Sequence, residues 1–63
     1  MYFISFYGNS FTDASADAFI DALQHNTTLE KLYLSGNNFS ADKKAAIRAA
    51  GGKNAFGDDR VFI

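Results

Sequence analysis

The sequence contains no cysteine, and this absence excludes both a disulfide framework and any metal site built from thiolates. It also lacks an excess of either charge, because six lysines and arginines stand against seven aspartates and glutamates and the formal net charge is only −1. Proteins that bind nucleic acid or anionic membranes usually carry a stripe of basic residues, so we expect neither as a partner. No residue pattern indicates a cofactor.

Long hydrophobic runs are absent as well. The apolar stretch from Met1 to Ile4 is soon interrupted by polar residues and has no basic flank, so it matches neither a signal peptide nor a membrane span. We therefore predict a cytoplasmic protein. A chain of 63 residues buries only roughly 60% of the surface that its unfolded form exposes, which makes a single domain of this size marginally stable.

Catalytic side chains are scarce. His25 is the only histidine, and no nucleophile stands at a fixed spacing from it, so a general base is not indicated. Asp13, Asp17 and Asp21 fall four residues apart on one face of a predicted helix, and a helical column spreads its oxygens too far to surround one cation. We therefore predict that the protein is not an enzyme and has no metal site.

What the sequence does contain is an internal repeat. Five residues return after 28 positions as the same or a similar side chain, namely Ile4, Phe6, Asn9, Phe11 and Phe19 as Leu32, Leu34, Asn37, Phe39 and Ile47. A period of this length is typical of a supersecondary unit that buries its apolar side only by stacking on a copy of itself. We divide the single domain 1–63 into repeat 1 (1–28), repeat 2 (29–56) and a C-terminal strand or partial repeat (57–63).

Each repeat is predicted to contain a strand followed by a helix. Alternation and β-forming residues favour strands at 2–6 and 31–34, each ending in a Gly-Asn turn, and a third short strand in 59–63, either in register or slipped by one residue. Thr12 or Asp13 is predicted to cap the first helix, which ends near His25, and Ser40 is predicted to cap the second helix, which ends at Gly51-Gly52. The predicted inner positions are Ala18, Phe19, Ala22 and Leu23 in the first helix and Ala45, Ala46, Ile47, Ala49 and Ala50 in the second.

Residues 29–39, with the sequence LEKLYLSGNNF, resemble the leucine-rich repeat signature LxxLxLxxNxL. Residues 23–28 are similar to the helix exit of the ribonuclease-inhibitor-like subclass, and the resemblance covers about 1–54. Gly51 departs from the pattern, since it stands where repeat 1 has Leu23, and this suggests weaker packing of the second helix. Repeat 1 carries the ladder residues Met1, Ile4, Phe6, Asn9 and Phe11.

The resemblance implies an α/β fold, a short leucine-rich-repeat solenoid with parallel strands on a concave face and helices on the other, convex face. It also implies a structural role for Asn9 and Asn37, whose side-chain amides would bond backbone atoms where the chain leaves each strand. Buried polar groups normally find protein partners of this kind.

The candidate partner-binding residues are the strand residues that point away from the predicted core. Stacking would pair Phe3 with Lys31, Ser5 with Tyr33, and Tyr7 with Ser35. Tyrosine is enriched at interfaces because it combines a large apolar area with a polar tip. Strand propensity and cross-strand packing are the competing explanation for the same aromatic residues.

Two functions from different classes follow from these patterns. We predict a protein-protein interaction module that binds a protein partner of unknown identity through the concave strand face. The alternative is a self-assembling repeat fragment, whose open ends and unpaired edge strands stack copies into a homo-oligomer.

Overall fold

The computed structural model describes residues 2–63, apart from the side chain of Tyr2. Within this range the chain folds as a small α/β unit with one parallel three-stranded sheet in the order β1-β2-β3. The elements are β1 (Tyr2–Ser5), α1 (Asp13–His25), β2 (Leu29–Tyr33), α2 (Ala41–Gly51) and β3 (Val61–Phe62). The predicted α/β class and alternating order are confirmed. The ladder position assigned to Met1 lies outside the described residues.

From Phe3 to Ser5, the register of β1 on β2 follows the 28-residue repeat, whereas Tyr2 pairs with Leu29 across an irregularity between Tyr2 and Phe3. The Cα partners are Phe3 and Lys31, Ile4 and Leu32, and Ser5 and Tyr33. The register of β3 on β2 has an offset of 29 residues, because Leu32 pairs with Val61 and Tyr33 with Phe62. The structure therefore selects the slipped register, one of the two that the sequence left open.

The hydrophobic core draws on β2, β3 and both helices, which pack against each other. Leu32 is 3% exposed, whereas its counterpart Ile4 in β1 is 41% exposed. Ile4 is half uncovered because β1 is the edge of the sheet and no described residue stacks beyond it. The buried residues of the core are Ala16, Leu23, Leu29, Leu32, Leu34, Phe39, Ile47 and Val61.

The buried stripe of each helix differs from the prediction in part. In α1, Leu23 is buried and Phe19 half-buried as expected, but Ala16 and Ile20 face inward in place of Ala18 and Ala22, which are exposed. In α2, Ile47 and Gly51 are buried and Ala46 and Ala50 half-buried, while Ala45 and Ala49 are exposed. In each helix the inward residues recur at spacings of three or four and so share one face. The exposed alanines are rotated about 100° or more around the helix axis from the centre of that face.

Gly51 allows α2 to approach β3 closely. A Cβ atom at Gly51 would overlap Val61 Cγ2 and would lie 3.4 Å from Val61 Cβ and 3.8 Å from Arg60 Cβ. The space that a leucine side chain would need is therefore filled by β3. The expectation of weak packing at this position is wrong, because the third strand replaces the missing side chain.

The turns and caps agree with the sequence analysis in most details. Gly8 and Gly36 have φ angles of 70° and 78°, and a Cβ at Gly36 would lie 3.2 Å from Gly8 N, so the two turns stack too closely for larger residues. Ser40 Oγ accepts a hydrogen bond from Lys43 N at 3.3 Å as a helix N-cap. Thr12 precedes α1, but its side chain makes no capping hydrogen bond.

Candidate functional site

Four of the six predicted binding residues lie on one face of the sheet, and the other two, Tyr7 and Ser35, lie in the turns that follow β1 and β2. Strand alternation directs the four side chains within the strands away from the core residues Leu32 and Val61. The Phe3–Lys31 and Ser5–Tyr33 pairs are confirmed, and the hydrogen bond from Gly8 N to Ser35 O at 3.1 Å continues the ladder past Tyr7. We call this surface the aromatic face; it comprises Phe3, Ser5, Tyr7, Lys31, Tyr33, Ser35 and, as described next, Phe62.

Phe62 in β3 completes the aromatic face and was not among the predicted residues. Its ring stacks on the ring of Tyr33, with centroids 5.0 Å apart and an interplanar angle of 16°. Lys31 Nζ lies 5.2 Å from the centroid of the Phe62 ring, a distance typical of a cation–π contact. Ser35 Oγ also donates to Phe62 O at 3.5 Å. Only the slipped register of β3 places Phe62 opposite Tyr33, so sequence analysis needed that register to find it.

The two sides of the aromatic face differ in how much of their surface is covered. Tyr33 and Lys31 are half-buried because each contacts the Phe62 ring. Phe3 on β1 is 55% exposed and Tyr7 in the turn after β1 is 69% exposed, and the structure places no partner ring against either of them among the described residues. The aromatic face thus combines a preformed stack with two uncovered aromatic side chains.

Asn37 shows that the predicted structural role of the turn asparagine is correct. Its Oδ1 accepts from Asn9 N at 2.9 Å and from Phe11 N at 3.0 Å. Its Nδ2 donates to Phe6 O at 3.0 Å and to Leu34 O at 2.8 Å. One side chain therefore fastens repeat 1 to the turn of repeat 2. Asn9, by contrast, makes a single side-chain hydrogen bond among the described residues, from Nδ2 to Tyr7 O at 3.3 Å.

Arg60 is a buried cation that sequence analysis missed. It is 8% exposed, and no carboxylate within residues 2–63 forms an ion pair with it. Four carbonyl oxygens take the place of a carboxylate; three lie at the C-terminal ends of the helices, where the helix dipole is negative, and the fourth lies at the start of β2. The acceptors are Leu29 O (3.0 Å), Leu23 O (3.3 Å), Gly51 O (3.2 Å) and Asn26 O (2.6 Å). The repeat gave no signal for this role, since the 28-residue offset aligns Arg60 with the apolar Leu32.

The acidic column of α1 binds neighbouring groups of the chain. Asp13 Oδ1 accepts from Ser40 N at 2.7 Å, and this backbone hydrogen bond, with the Ser40 side chain and the positive charge of Lys43, lowers the pKa of Asp13. Asp17 lies 3.4 Å from Lys43 Nζ, and Asp21 lies 3.3 Å from His25 Nδ1. In the described part of the chain, no group of three acidic or histidine side chains converges on a position that could hold a metal ion.

A shallow cavity of about 270 Å³ lies beside β1, at the edge of the sheet. Its lining residues are Phe3, Ile4, Asn26, Thr28 and Leu29. The cavity is mostly apolar and holds no charged side chain, so it offers no group for acid–base chemistry.

Comparison with models of known protein families, with curated proteins and with solved structures finds no match for this chain. Among residues 2–63, neither helix is long and apolar enough to cross a membrane.

Proposed function

We propose that the chain is a protein-interaction module of the leucine-rich repeat type, ribonuclease-inhibitor-like subclass, which binds a polypeptide through the aromatic face and catalyses no reaction. The observation that carries the proposal is the stack of Lys31, Phe62 and Tyr33 beside the uncovered rings of Phe3 and Tyr7. Aromatic side chains with few rotatable bonds are the residues that most often dominate the energy of protein interfaces.

The repeat assignment has two supports besides the sequence pattern. The strands β1 and β2 pair in parallel with the offset of the sequence repeat. The Asn37 side chain bonds the turn of repeat 2 and the turn of repeat 1 at the same time. Both features follow if each repeat is a copy of one strand–helix unit.

Preorganisation favours the β2–β3 part of the aromatic face as the energetic centre of binding. The rings of Tyr33 and Phe62 already stack on each other in the free chain. These two side chains therefore lose little conformational entropy when a partner binds them. Phe3 and Tyr7 would then extend the contact to β1 and to the turn that follows it. A partner segment with apolar side chains matches this surface, because the only charge on it is that of Lys31.

Selection from a phage-displayed random peptide library tests the proposal. The selected peptides are titrated against the unmodified chain, Tyr33→Ala and Phe56→Ala. Phe56 is 65% exposed and precedes β3 in the chain, so its replacement removes an exposed ring that is not part of the aromatic face. We expect Tyr33→Ala to weaken binding about 30-fold, roughly 2 kcal/mol, and Phe56→Ala to leave it unchanged.

Circular dichroism of both variants provides the folding control. The proposal fails if no peptide is selected, or if the selected peptides bind Tyr33→Ala and a second variant, Phe62→Ala, as tightly as the unmodified chain.

A further inference from the structure

Lys31 carries the single charge of the aromatic face. Its Cα partner on β1 is Phe3, and its Nζ lies 5.2 Å from the centroid of the Phe62 ring on the other side. None of the ion pairs within residues 2–63 involves Lys31. Lys31 thus lies between two apolar side chains on the middle strand of the sheet, without a carboxylate partner in the described part of the chain.

The serine side chains of the aromatic face are already engaged within the chain. Ser35 Oγ donates to Phe62 O at 3.5 Å, and Ser5 Oγ accepts from Tyr7 N at 3.4 Å. By contrast, the side-chain hydrogen bonds of residues 2–63 that involve lysine come from other positions. The three N–H groups of the Lys31 ammonium are therefore available to water or to a partner.

The position of Lys31 sets a condition that a partner has to meet. A segment that covers both Phe3 and Phe62 passes over Lys31, because β2 lies between β1 and β3. Apolar surface placed over the ammonium removes its water, and an unpaired charge without water is costly. A carboxylate of the partner offsets this cost, because the attraction between opposite charges increases as water is excluded. Lys31 should therefore disfavour a wholly apolar segment and favour an acidic one.

The contact with Phe62 keeps the Lys31 ammonium on the aromatic face. Lys31 is half-buried, and its ammonium is attracted to the partially negative face of the ring. A ring contacts only one side of an ammonium group, so the N–H groups on the other side can still bind an acceptor. The aromatic face contains no Asp or Glu that would repel an incoming carboxylate.

We propose that the partner is a peptide segment that carries an Asp or Glu side chain between two apolar side chains. The carboxylate pairs with the Lys31 ammonium, and the flanking apolar side chains cover Phe3 and Phe62. A free C-terminal carboxylate does not fit this arrangement, because the end of a chain has a neighbouring residue on one side only. The inference rests on the proposed function and deepens it, since it assigns the choice of partner to Lys31 and the bulk of the contact area to the rings.

Parallel selections from one phage-displayed random peptide library test the proposal. The library is displayed by fusion through the peptide C-termini, so every carboxylate of a peptide is an Asp or Glu side chain. The targets are the unmodified chain, Lys31→Met and Lys44→Met. Lys44 is half-buried in α2, so its replacement makes the same change of net charge away from the aromatic face.

We expect the unmodified chain and Lys44→Met to enrich peptides with Asp or Glu at one position between apolar residues, and Lys31→Met to show no such enrichment. Peptides that bind without this enrichment, or the same enrichment on Lys31→Met, overturn the partner chemistry and leave the proposed function standing. A library from which no chain selects a peptide overturns both.

Titration of synthetic peptides then measures the contribution of the charge pair. The probes are one selected acidic peptide with both ends blocked and its analogue in which the acidic residue is replaced by the corresponding amide. We expect the unmodified chain and Lys31→Arg to bind the acidic peptide about tenfold more tightly than the amide. Lys31→Met should bind the two equally, and it should bind the amide more tightly than the unmodified chain does, because no ammonium loses its water.

A preference for the acidic peptide that persists in Lys31→Met refutes the pairing. Amide binding that is no tighter in Lys31→Met than in the unmodified chain refutes the role of desolvation. Circular dichroism shows whether the variants fold.

The salt dependence of binding provides a test that needs no variant of the chain. Added salt screens the attraction between exposed or partly exposed charges. We expect it to weaken binding of the acidic peptide to the unmodified chain and to leave binding of the amide peptide nearly unchanged. Equal salt dependence of the two peptides contradicts the proposal.

Discussion

Two polar side chains satisfy backbone groups that the hydrophobic core leaves without partners. Asn37 engages four main-chain groups of both strand-exit turns, and Arg60 donates to four carbonyl oxygens at the ends of α1 and α2 and the start of β2. An unpaired buried polar group costs about 1–3 kcal/mol. In a domain this small, removal of either side chain should therefore remove a large fraction of the free energy of unfolding.

The asparagine pair offers a direct comparison within one chain. Asn37→Ala removes four hydrogen bonds, and we expect the free energy of unfolding to fall by about 2–3 kcal/mol. Asn9→Ala removes one long hydrogen bond on the surface, and we expect a loss of less than about 0.5 kcal/mol. Urea denaturation measures both, and equal effects of the two substitutions would contradict the role assigned to Asn37.

Arg60→Met tests the buried cation. The methionine fills much of the same volume but donates no hydrogen bond, so the four carbonyl oxygens lose their donors and we expect a loss of about 2–4 kcal/mol. Arg48→Met, at an exposed position of α2, is the matched control and should have little effect. A loss at position 60 no larger than at position 48 would show that water or nearby N–H groups replace the guanidinium.

At the scale of elements, the contact of α2 with β3 depends on one glycine. A glycine to alanine replacement in a helix usually stabilises it by about 1 kcal/mol. We expect Gly51→Ala to destabilise the chain by about 1–3 kcal/mol instead, because the new methyl group overlaps Val61. The same replacement should cost less in a Val61→Ala background. Urea denaturation of the unmodified chain, the two single variants and the double variant measures the coupling free energy between positions 51 and 61. Additive effects of the two substitutions would contradict the close contact.

The start of α1 is linked to the start of α2 by the Asp13 carboxylate, and this link predicts a pH dependence. The hydrogen bond from Ser40 N lowers the pKa of Asp13 below 3.8 in the folded chain. The contribution of the Asp13 carboxylate to the free energy of unfolding is therefore fully present above pH 3.8 and is lost as the pH falls through the folded-state pKa of Asp13. We expect thermal unfolding midpoints to fall less steeply below this pH in Asp13→Asn than in the unmodified chain.

At the scale of the whole molecule, the two repeats form one packed unit. The Cα radius of gyration is 10.7 Å, close to the roughly 10.6 Å expected for a compact globular chain of this length. The ring centroids of Phe19 in repeat 1 and Phe39 in repeat 2 are 6.1 Å apart. The Arg60 side chain also donates hydrogen bonds to main-chain carbonyl groups of both repeats. The Phe6, Phe11 and Phe19 rings of repeat 1 contact one another, and they pack against the one core cluster to which both repeats contribute.

This shared core predicts a single unfolding transition. We expect the native NMR signals of Phe6 in repeat 1 and Leu34 in repeat 2 to disappear at the same urea concentration. Ile47→Ala, at a fully buried position of α2, should shift both signals equally. Loss of the Phe6 signal at a lower urea concentration than the Leu34 signal would mean that repeat 1 unfolds separately.

The sequence predicted those parts of the fold that depend on repetition. The 28-residue offset gave the pairing of β1 with β2 and six residues of the aromatic face, because copies of one unit must stack in a constant register. It could not give the offset of β3, since Val61 and Phe62 belong to no complete repeat. Phe62, Arg60 and the fit of Gly51 against Val61 all depend on that one-residue slip.

The short third strand limits how far the sheet can grow at that edge. β3 offers only two residues, and Asp58, Asp59 and Arg60 directly precede it. A strand of another molecule would find too little backbone to bond there. The edge beside Phe62 is therefore protected from the open-ended pairing of strands that leads to fibrils, although the Phe62 ring itself is partly exposed.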